Sequence, residues 1–387
     1  LDPPPPRSAA MATRSSSPPR TVLVLRTGSQ PREDHERTTQ EWVARRLAEA
    51  LGWRYGGAFD PQRRPPPGGC YLVPDETLTC AQARHLGIRD EDDLFGGVVP
   101  HPFVASKVIT HPLPGADAAA PPGWEASMAA HLEDAVLPGF SVFGPAAAGR
   151  AGRTLLAQVG PIRIKPAQAR GGHGQCRVAD AEALRAALAT LDPACVRAHG
   201  LVLEPDLAQA TTCSVGEIRV AGLRLSYLGT QCQVADRDGA EVYGGSRLRV
   251  VAEGLDALEP LARDPAERQA LRHARRYDAA VQAAYPGFFA SRRNYDVIVG
   301  TDAAGQRRCG VLEQSWRLGG ASPAEVVALA ALLRPGAAPV LEVSCHESHA
   351  PDHGPPPGAE VHYRAAGAAR GPLLKYVMVE GSLGHTD

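Results

Sequence analysis

Lysine is nearly absent from this chain. Only Lys107, Lys165 and Lys375 occur among 387 residues, and arginine supplies the rest of the 41 basic side chains. Arginine is a broad planar fork, whereas lysine is a compact, flexible point charge. A chain that uses arginine almost everywhere marks its few lysines as positions with a specific task. An excess of charge is also missing. Against 42 acidic residues the net charge is -1, which excludes a nucleic-acid or anionic-membrane binder driven by bulk charge. Long apolar runs are missing too. The longest, Val326–Leu333, has eight residues, against roughly 20 for a membrane-spanning helix. Near the start, Val22–Leu25 is cut short by Arg26, too soon for a secretory core. The eight cysteines are dispersed with no CxxC pair, and in a large chain they are expected to be reduced thiols of a cytoplasmic protein.

What is present is ordinary for a folded protein: 44% apolar and 21% charged residues. Forty glycines and 35 prolines imply many turns. At roughly 150 residues per domain the length suits two or three domains. Residues 1–20 are Pro/Ser/Arg-rich and cannot bury a core, so they are expected to be a disordered extension. From Thr21 the pattern is α/β, with short strands at 21–26, 70–73 and 97–99 alternating with helical spacing around 41–51 and 80–86. This predicts a small parallel-sheet domain over 21–105. Helices are predicted over 124–136, 146–158, 181–191 and 260–284, with strands at 161–166 and 176–179 and a strand-rich stretch over 201–251. Ser322-Pro323-Ala324-Glu325 predicts a helix start with Ser as N-cap and Glu completing a capping box. After Pro335 the chain is broken by Pro and Gly, with strand-like pieces at 340–343, 361–363 and 374–379.

Three constellations carry chemistry. The first is Pro161-Ile162-Arg163-Ile164-Lys165-Pro166 followed by Arg170-Gly171-Gly172-His173-Gly174. Alternation on a strand puts Ile162 and Ile164 on one face and Lys165 on the other. A strand lysine before a glycine loop is one way to hold a polyphosphate, the glycines allowing close backbone approach; a half-exposed strand running into a Gly-rich hairpin fits equally. GxxxxGK[ST] and GxGxxG are both absent, which excludes a Walker loop and a dinucleotide fingerprint.

The second pairs Asn294-Tyr295-Asp296 with Glu313-Gln314-Ser315-Trp316-Arg317 across the turn Thr301–Gly305. A turn centred near Ala304–Gly305 makes Asp296 and Glu313 cross-strand neighbours. Like charges directly opposed are destabilising, so a cation is expected between them. Mg²⁺ accepts one or two carboxylates with phosphate and water completing its shell; Arg317 on the same face offers a salt bridge instead. The third is Leu201–Glu204-Pro205-Asp206-Leu207, where Pro205 lacks an N–H. That suits a hinge beside a purine edge, and equally an ordinary strand end. Cys345-His346-Glu347-Ser348-His349 contains ligand residue types but no HExxH, so zinc is not expected.

Together these motifs resemble the ATP-grasp superfamily of ATP-dependent carboxylate–amine ligases, and Glu313–Gly320 is similar to its E-x-N-x-R-x-G-G. More narrowly, IKPAQARGGHGQ, LEQSWRLGGASPAE and GPLLKY resemble an uncharacterised bacterial ATP-grasp-like family. The resemblance implies an α/β (α+β) ATP-grasp fold with an N-terminal Rossmann-like domain over 21–105. It further implies subdomains at 106–205 (lysine strand and lid) and 206–335 (metal hairpin), and a C-terminal extension over 336–387. The implied cofactors are ATP and one or two Mg²⁺. Lys107, Lys165, Gly171, Gly172, His173, Gly174, Glu204 and Leu207 would hold the nucleotide. Asp296, Glu313 and Ser315 would hold the metal, and Arg317 would stabilise the transferring phosphoryl group. Ser315 stands where the superfamily has an Asn, implying a weaker second metal site. The implied reaction activates a carboxylate as an acyl phosphate and joins it to an amine, with small-molecule partners and neither nucleic acid nor membrane. A non-catalytic nucleotide-binding protein and an ATP-dependent phosphotransferase fit the same resemblance.

Overall fold

The computed structural model describes residues 18–28, 33–169, 174–236, 239, 241–349, 354–368 and 371–383. The N-terminal unit is a parallel sheet in the order Arg54–Ala58, Thr21–Leu25, Cys70–Pro74. The helix Asp34–Leu51 buries Val43, Ala44, Leu47 and Ala48 in one cluster with Val22, Val24, Tyr71 and Val73. It begins in a reciprocal capping box between Glu33 and Glu36 and ends at Gly52, whose φ of 66° is left-handed. The strand Gly97–Val99, predicted for the same sheet, instead pairs with Leu78–Thr79 and Phe289–Ala290. Gly97 lets this strand pass the Trp316 backbone: an added Cβ would lie 2.6 Å from Trp316 Cβ.

A second sheet, antiparallel throughout, has the order Phe140–Val142, Leu201–Pro205, Ile162–Pro166, Cys176–Val178. Ile162 and Ile164 enter a core shared with the helices Pro145–Val159 and Ala181–Ala189. This leaves Lys165 on the opposite face.

The largest sheet has eight strands: Arg307–Ser315, Arg292–Thr301, Ala208–Val220, Leu223–Ala235, Glu241–Val251, Val340–Ser348, Gly371–Leu383 and Glu360–Ala368, in that spatial order. The strand-like pieces after Pro335 thus become three full strands of it. At one end the helix Pro265–Ala284 covers Val215, Leu228, Tyr295, Val297 and Val311. It starts at Pro265 rather than at the predicted 260, because Asp264 caps it by accepting from the N–H groups of Ala266 and Glu267. The segment predicted as a helix over 124–136 holds only Ser127–Leu132 and a short 3-10 turn. At the other end Ser322–Leu332 lies between the sheet and Asp34–Leu51. Apolar on all sides, it is buried on all sides.

The start of that helix corrects the sequence expectation. Its N-cap is Ala321, not Ser322, and makes no side-chain cap. The Ser322 hydroxyl accepts from Gly319 N–H, and the Glu325 carboxylate is bonded to Arg292 and Tyr227. A buried arginine outcompeted the helix's own backbone for that glutamate. Among the described residues no helix is long and apolar enough to cross a membrane.

Candidate active site

A cavity of about 1270 Å³ lies against the large sheet, and all three lysines line it. So do Glu204, Leu207, Asp296, Glu313, Ser315 and Arg317. Gly171, Gly172 and His173 fall outside the described residues. Gly174, at φ 69°, stands near Pro166 and Ala169 and is not among the described residues of the cavity wall.

The lysine strand pairs with Leu201–Pro205 so that Arg163 faces Glu204 and Lys165 faces Val202. Lys165 Nζ reaches back diagonally to Glu204 Oε1 in a buried ion pair. The other carboxylate oxygen is 3.2 Å from His111 Nε2. Burial would raise the Glu204 pKa, but Lys165 and His111 overcome it and hold the carboxyl down to about 2. Glu204 therefore acts as an anchor for its neighbours, while the strand end at Pro205–Leu207 lines the cavity.

Lys107 comes from the same short segment as His111. This 3-10 turn, Lys107–Thr110, is pinned from behind: Gln314 donates to the carbonyls of Val104 and Ser106, both at 2.9 Å, and Tyr277 bridges Thr110 and Gln314. Lys107 Nζ then lies 2.8 Å from Glu313 Oε2 and 2.9 Å from the Ala169 carbonyl. One segment thus sends a lysine to one carboxylate and an imidazole to another.

Asp296 and Glu313 are direct cross-strand partners, and the register slips just beyond them at Val297. The pairing expected from the turn is the pairing observed. The cation beside Glu313 is Lys107, whereas Arg317 lies 3.9 Å from Glu76 and donates to the Leu318 carbonyl. Burial opposes ionisation of Glu313, but Lys107 outweighs it and the pKa is lowered. Among the described residues Asp296 forms no ion pair, and Arg292 is the weakest of the influences on it. Burial, then the Glu313 charge, pushes it up to about 6, although Asn294 at 2.8 Å and Gln231 at 2.7 Å donate to it. Two facing carboxylates, one of them held near neutrality in its pKa, form a donor set that fits a divalent cation whose shell is completed by phosphate oxygens and water. Among the described residues no group of three or more His, Cys, Asp or Glu side chains forms a protein-only metal cage. Ser315 faces Asn294 across the hairpin, and its hydroxyl accepts from Arg292 at 3.3 Å.

Several of these residues escaped the sequence. Asn294 was visible in principle, since it lies two positions before Asp296 and so shares its face. Gln231 and His111 lie far along the chain from their partners and carry no local signal. Arg292 reads as one arginine among many, yet it is 1% exposed and bonded to Glu325, Ser315 and the Arg317 carbonyl.

This architecture, two sheet units closing on a cavity with a lysine strand on one side and a carboxylate hairpin on the other, is the ATP-grasp fold. It is shared with carboxyaminoimidazole ribonucleotide synthase of Aspergillus clavatus, crystallised with ATP (TM-score 0.50, 12% identity, 94% of each chain covered). It is shared too with pyruvate carboxylase of Rhizobium etli (TM-score 0.50, 13% identity, 95% of this chain and 36% of that one). An ATP-grasp RimK domain protein of Sphaerobacter thermophilus also matches (TM-score 0.36, 15% identity, 80% of this chain and 97% of that one). No curated protein matches the sequence. Within the fold, the chain belongs to the family described as "Protein of unknown function (DUF3182)", which matches residues 23–377.

Proposed function

We propose that this protein is an ADP-forming ligase that uses ATP to activate a carboxylate and joins the product to an amine. The observation that carries this reading is the convergence of Lys107 and Lys165 with the facing carboxylates Asp296 and Glu313 in one cavity. Phosphoryl transfer needs positioning and charge neutralisation more than a protein nucleophile, and this site is built of charges held in place rather than of a nucleophile–base pair. Lys165 and Lys107 would contact phosphate oxygens after exchanging their glutamates for the incoming anion. Asp296 and Glu313 would hold Mg²⁺, with Ser315 beside them; the ion would neutralise charge on the phosphate chain. The strand end at Glu204–Leu207 would flank the base, and the loop carrying Gly171, Gly172, His173 and Gly174 would cover the phosphates. Arg317, on the wall beyond the hairpin, would steady the transferring phosphoryl group and the acyl phosphate.

Binding is tested by thermal shift with Mg-ATP, comparing wild type with Lys165→Met and Glu313→Ala. Stabilisation that requires Mg²⁺ and disappears in both variants supports the nucleotide site; none in folded wild type rejects it. Product analysis then separates the chemistry. A ligase releases free phosphate only with both carboxylate and amine present. A phosphotransferase yields ADP and a stable phosphorylated product without an amine.

A further inference from the structure

The nucleotide reading uses two of the three lysines and leaves Lys375 without a role. Its side chain is 7% exposed and lies 2.9 Å from Glu347 Oε1. The two residues face each other directly across adjacent strands. The surrounding side chains come from distant parts of the chain. His362 projects from the edge strand Glu360–Ala368, and His35 from the first turn of Asp34–Leu51. His35 Nε2 is 3.1 Å from Glu33, whereas its Nδ1 is buried with no hydrogen-bond partner. His362 Nδ1 is 3.4 Å from the Thr39 hydroxyl. Burial and the nearby Lys375 charge hold both imidazoles below their usual pKa, His362 at about 3, so both are neutral hydrogen-bonding groups at pH 7.

This cluster lines the same cavity as the nucleotide site. At about 1270 Å³ that cavity is larger than the roughly 300–1,000 Å³ that serves one small molecule. It has room for a second ligand beside the first.

We propose that the Lys375–Glu347 pair binds an amino carboxylate, a small molecule with an ammonium and a carboxylate on neighbouring atoms, which enters by separating the pair. Electroneutrality selects this class. A simple anion on Lys375 would sit beside the Glu347 charge, and a simple cation on Glu347 would sit beside Lys375. Either would add net charge to a largely buried site, which is costly. A zwitterion gives Lys375 a carboxylate and Glu347 an ammonium, restoring both contacts without adding charge. Lysine suits the task because its point charge on a flexible stem can change partners. The proposal rests on the ligase reading for one thing only, that the bound amino carboxylate serves as the amine or the carboxylate substrate.

The test uses the full chain without nucleotide, in thermal-shift and calorimetric titrations with the common L- and D-amino acids. Each is paired with its amide, which lacks the anionic pole, and its N-acetyl derivative, which lacks the cationic one. At least one free amino acid is expected to bind, with both derivatives at least tenfold weaker. Lys375→Met and Glu347→Gln should each weaken binding at least tenfold while Mg-ATP affinity stays within about twofold. Since either single change orphans a charge, Lys375→Met/Glu347→Met provides a variant with no unpaired group, and it too should fail to bind. Absence of binding by any amino acid, equal binding of a derivative, or wild-type affinity in the folded double variant would overturn the proposal. Inorganic phosphate binding in place of amino acids would overturn it as well. Amino-acid binding without Mg-ATP binding would reject the ligase and leave this site standing; the reverse would reject this site and leave the ligase.

Discussion

Arg292 and Lys165 both hold a buried glutamate, and they hold it in different ways. Arg292 grips Glu325 with Nε at 3.0 Å and Nη2 at 2.8 Å, and spends Nη1 on the carbonyls of Ser315 and Arg317. Tyr227 adds a bond to the same glutamate at 2.6 Å and another to Asn294 at 2.9 Å. Lys165, Lys107 and Lys375 each reach their glutamate through Nζ alone. The arginine cluster forms a frame beneath the hairpin, with each guanidinium nitrogen of Arg292 bonded. The lysine pairs form a wall around a cavity, and in the proposed reading each would exchange its carboxylate for another anion. A rigid fork suits the first task and a mobile point charge the second. This is a physical reason for lysine to persist at these three positions in a chain that otherwise uses arginine.

The contrast can be broken by mutation. Arg292→Leu leaves Glu325, 0% exposed, as an uncompensated buried charge, and should cost about 3–5 kcal/mol in urea unfolding. A change below about 1 kcal/mol would show that the frame bears little of the fold.

The acid response comes next in size. The Glu204 pKa is depressed to about 2, so its pair contributes stability above the ordinary carboxylate range. That contribution, on the order of 3 kcal/mol, should be lost as pH falls from about 4.5 to 2. Asp296 has the opposite sign. Its pKa is raised to about 6, so the unliganded protein should lose stability as pH rises from about 4 to 6. Unfolding followed against pH checks both, with Glu204→Gln removing its share of the acid limb and Asp296→Asn the opposite contribution. If Asp296 is a ligand of the proposed Mg²⁺ site, it must be ionised there, so Mg²⁺-dependent nucleotide binding should weaken below about pH 6.

Saturating Mg-ATP at 100 times its dissociation constant should stabilise wild type by about 2.7 kcal/mol, and Glu313→Ala should remove that increment. Lys107→Met should cost only about 1 kcal/mol without ligand, because Glu313 is 31% exposed and keeps access to water. Its loss of nucleotide affinity should be far larger than its loss of stability. A more exposed pair, at the cavity-lining Asp206, sets the baseline. Arg177, 56% exposed, meets Asp206 at 2.7 Å, and Arg177→Ala should change stability by less than about 0.5 kcal/mol.

The sequence revealed most of what depends on neighbours along the chain. The lysine strand followed from alternation, and the Asp296–Glu313 register followed from counting out from a short turn. The scarcity of lysine singled out three residues that line one cavity, before any contact was known. The local signal failed where a distant partner competed. Glu325 reads as the last member of a capping box and is claimed by Arg292, 33 positions away. His111 meets Glu204 across 93 positions, and nothing local to either residue announces the other. The pieces after Pro335 looked disconnected because Pro and Gly interrupt them; their register comes from pairing with Glu241–Val251, about 90 positions earlier.

Trp42, on the helix Asp34–Leu51, packs against the His362 ring at 5.1 Å, and Thr39 meets the same ring across 323 positions. Translation proceeds from the N-terminus, so this helix leaves the ribosome long before the strands that cover it. Until they arrive, part of its inward face and one edge of the growing sheet stand open, a state in which chains associate wrongly. Closure of that last seam is therefore expected to be a late and slow event, because it joins the most distant segments of the polymer. Chains released before it closes should be the ones that reach chaperones or proteases.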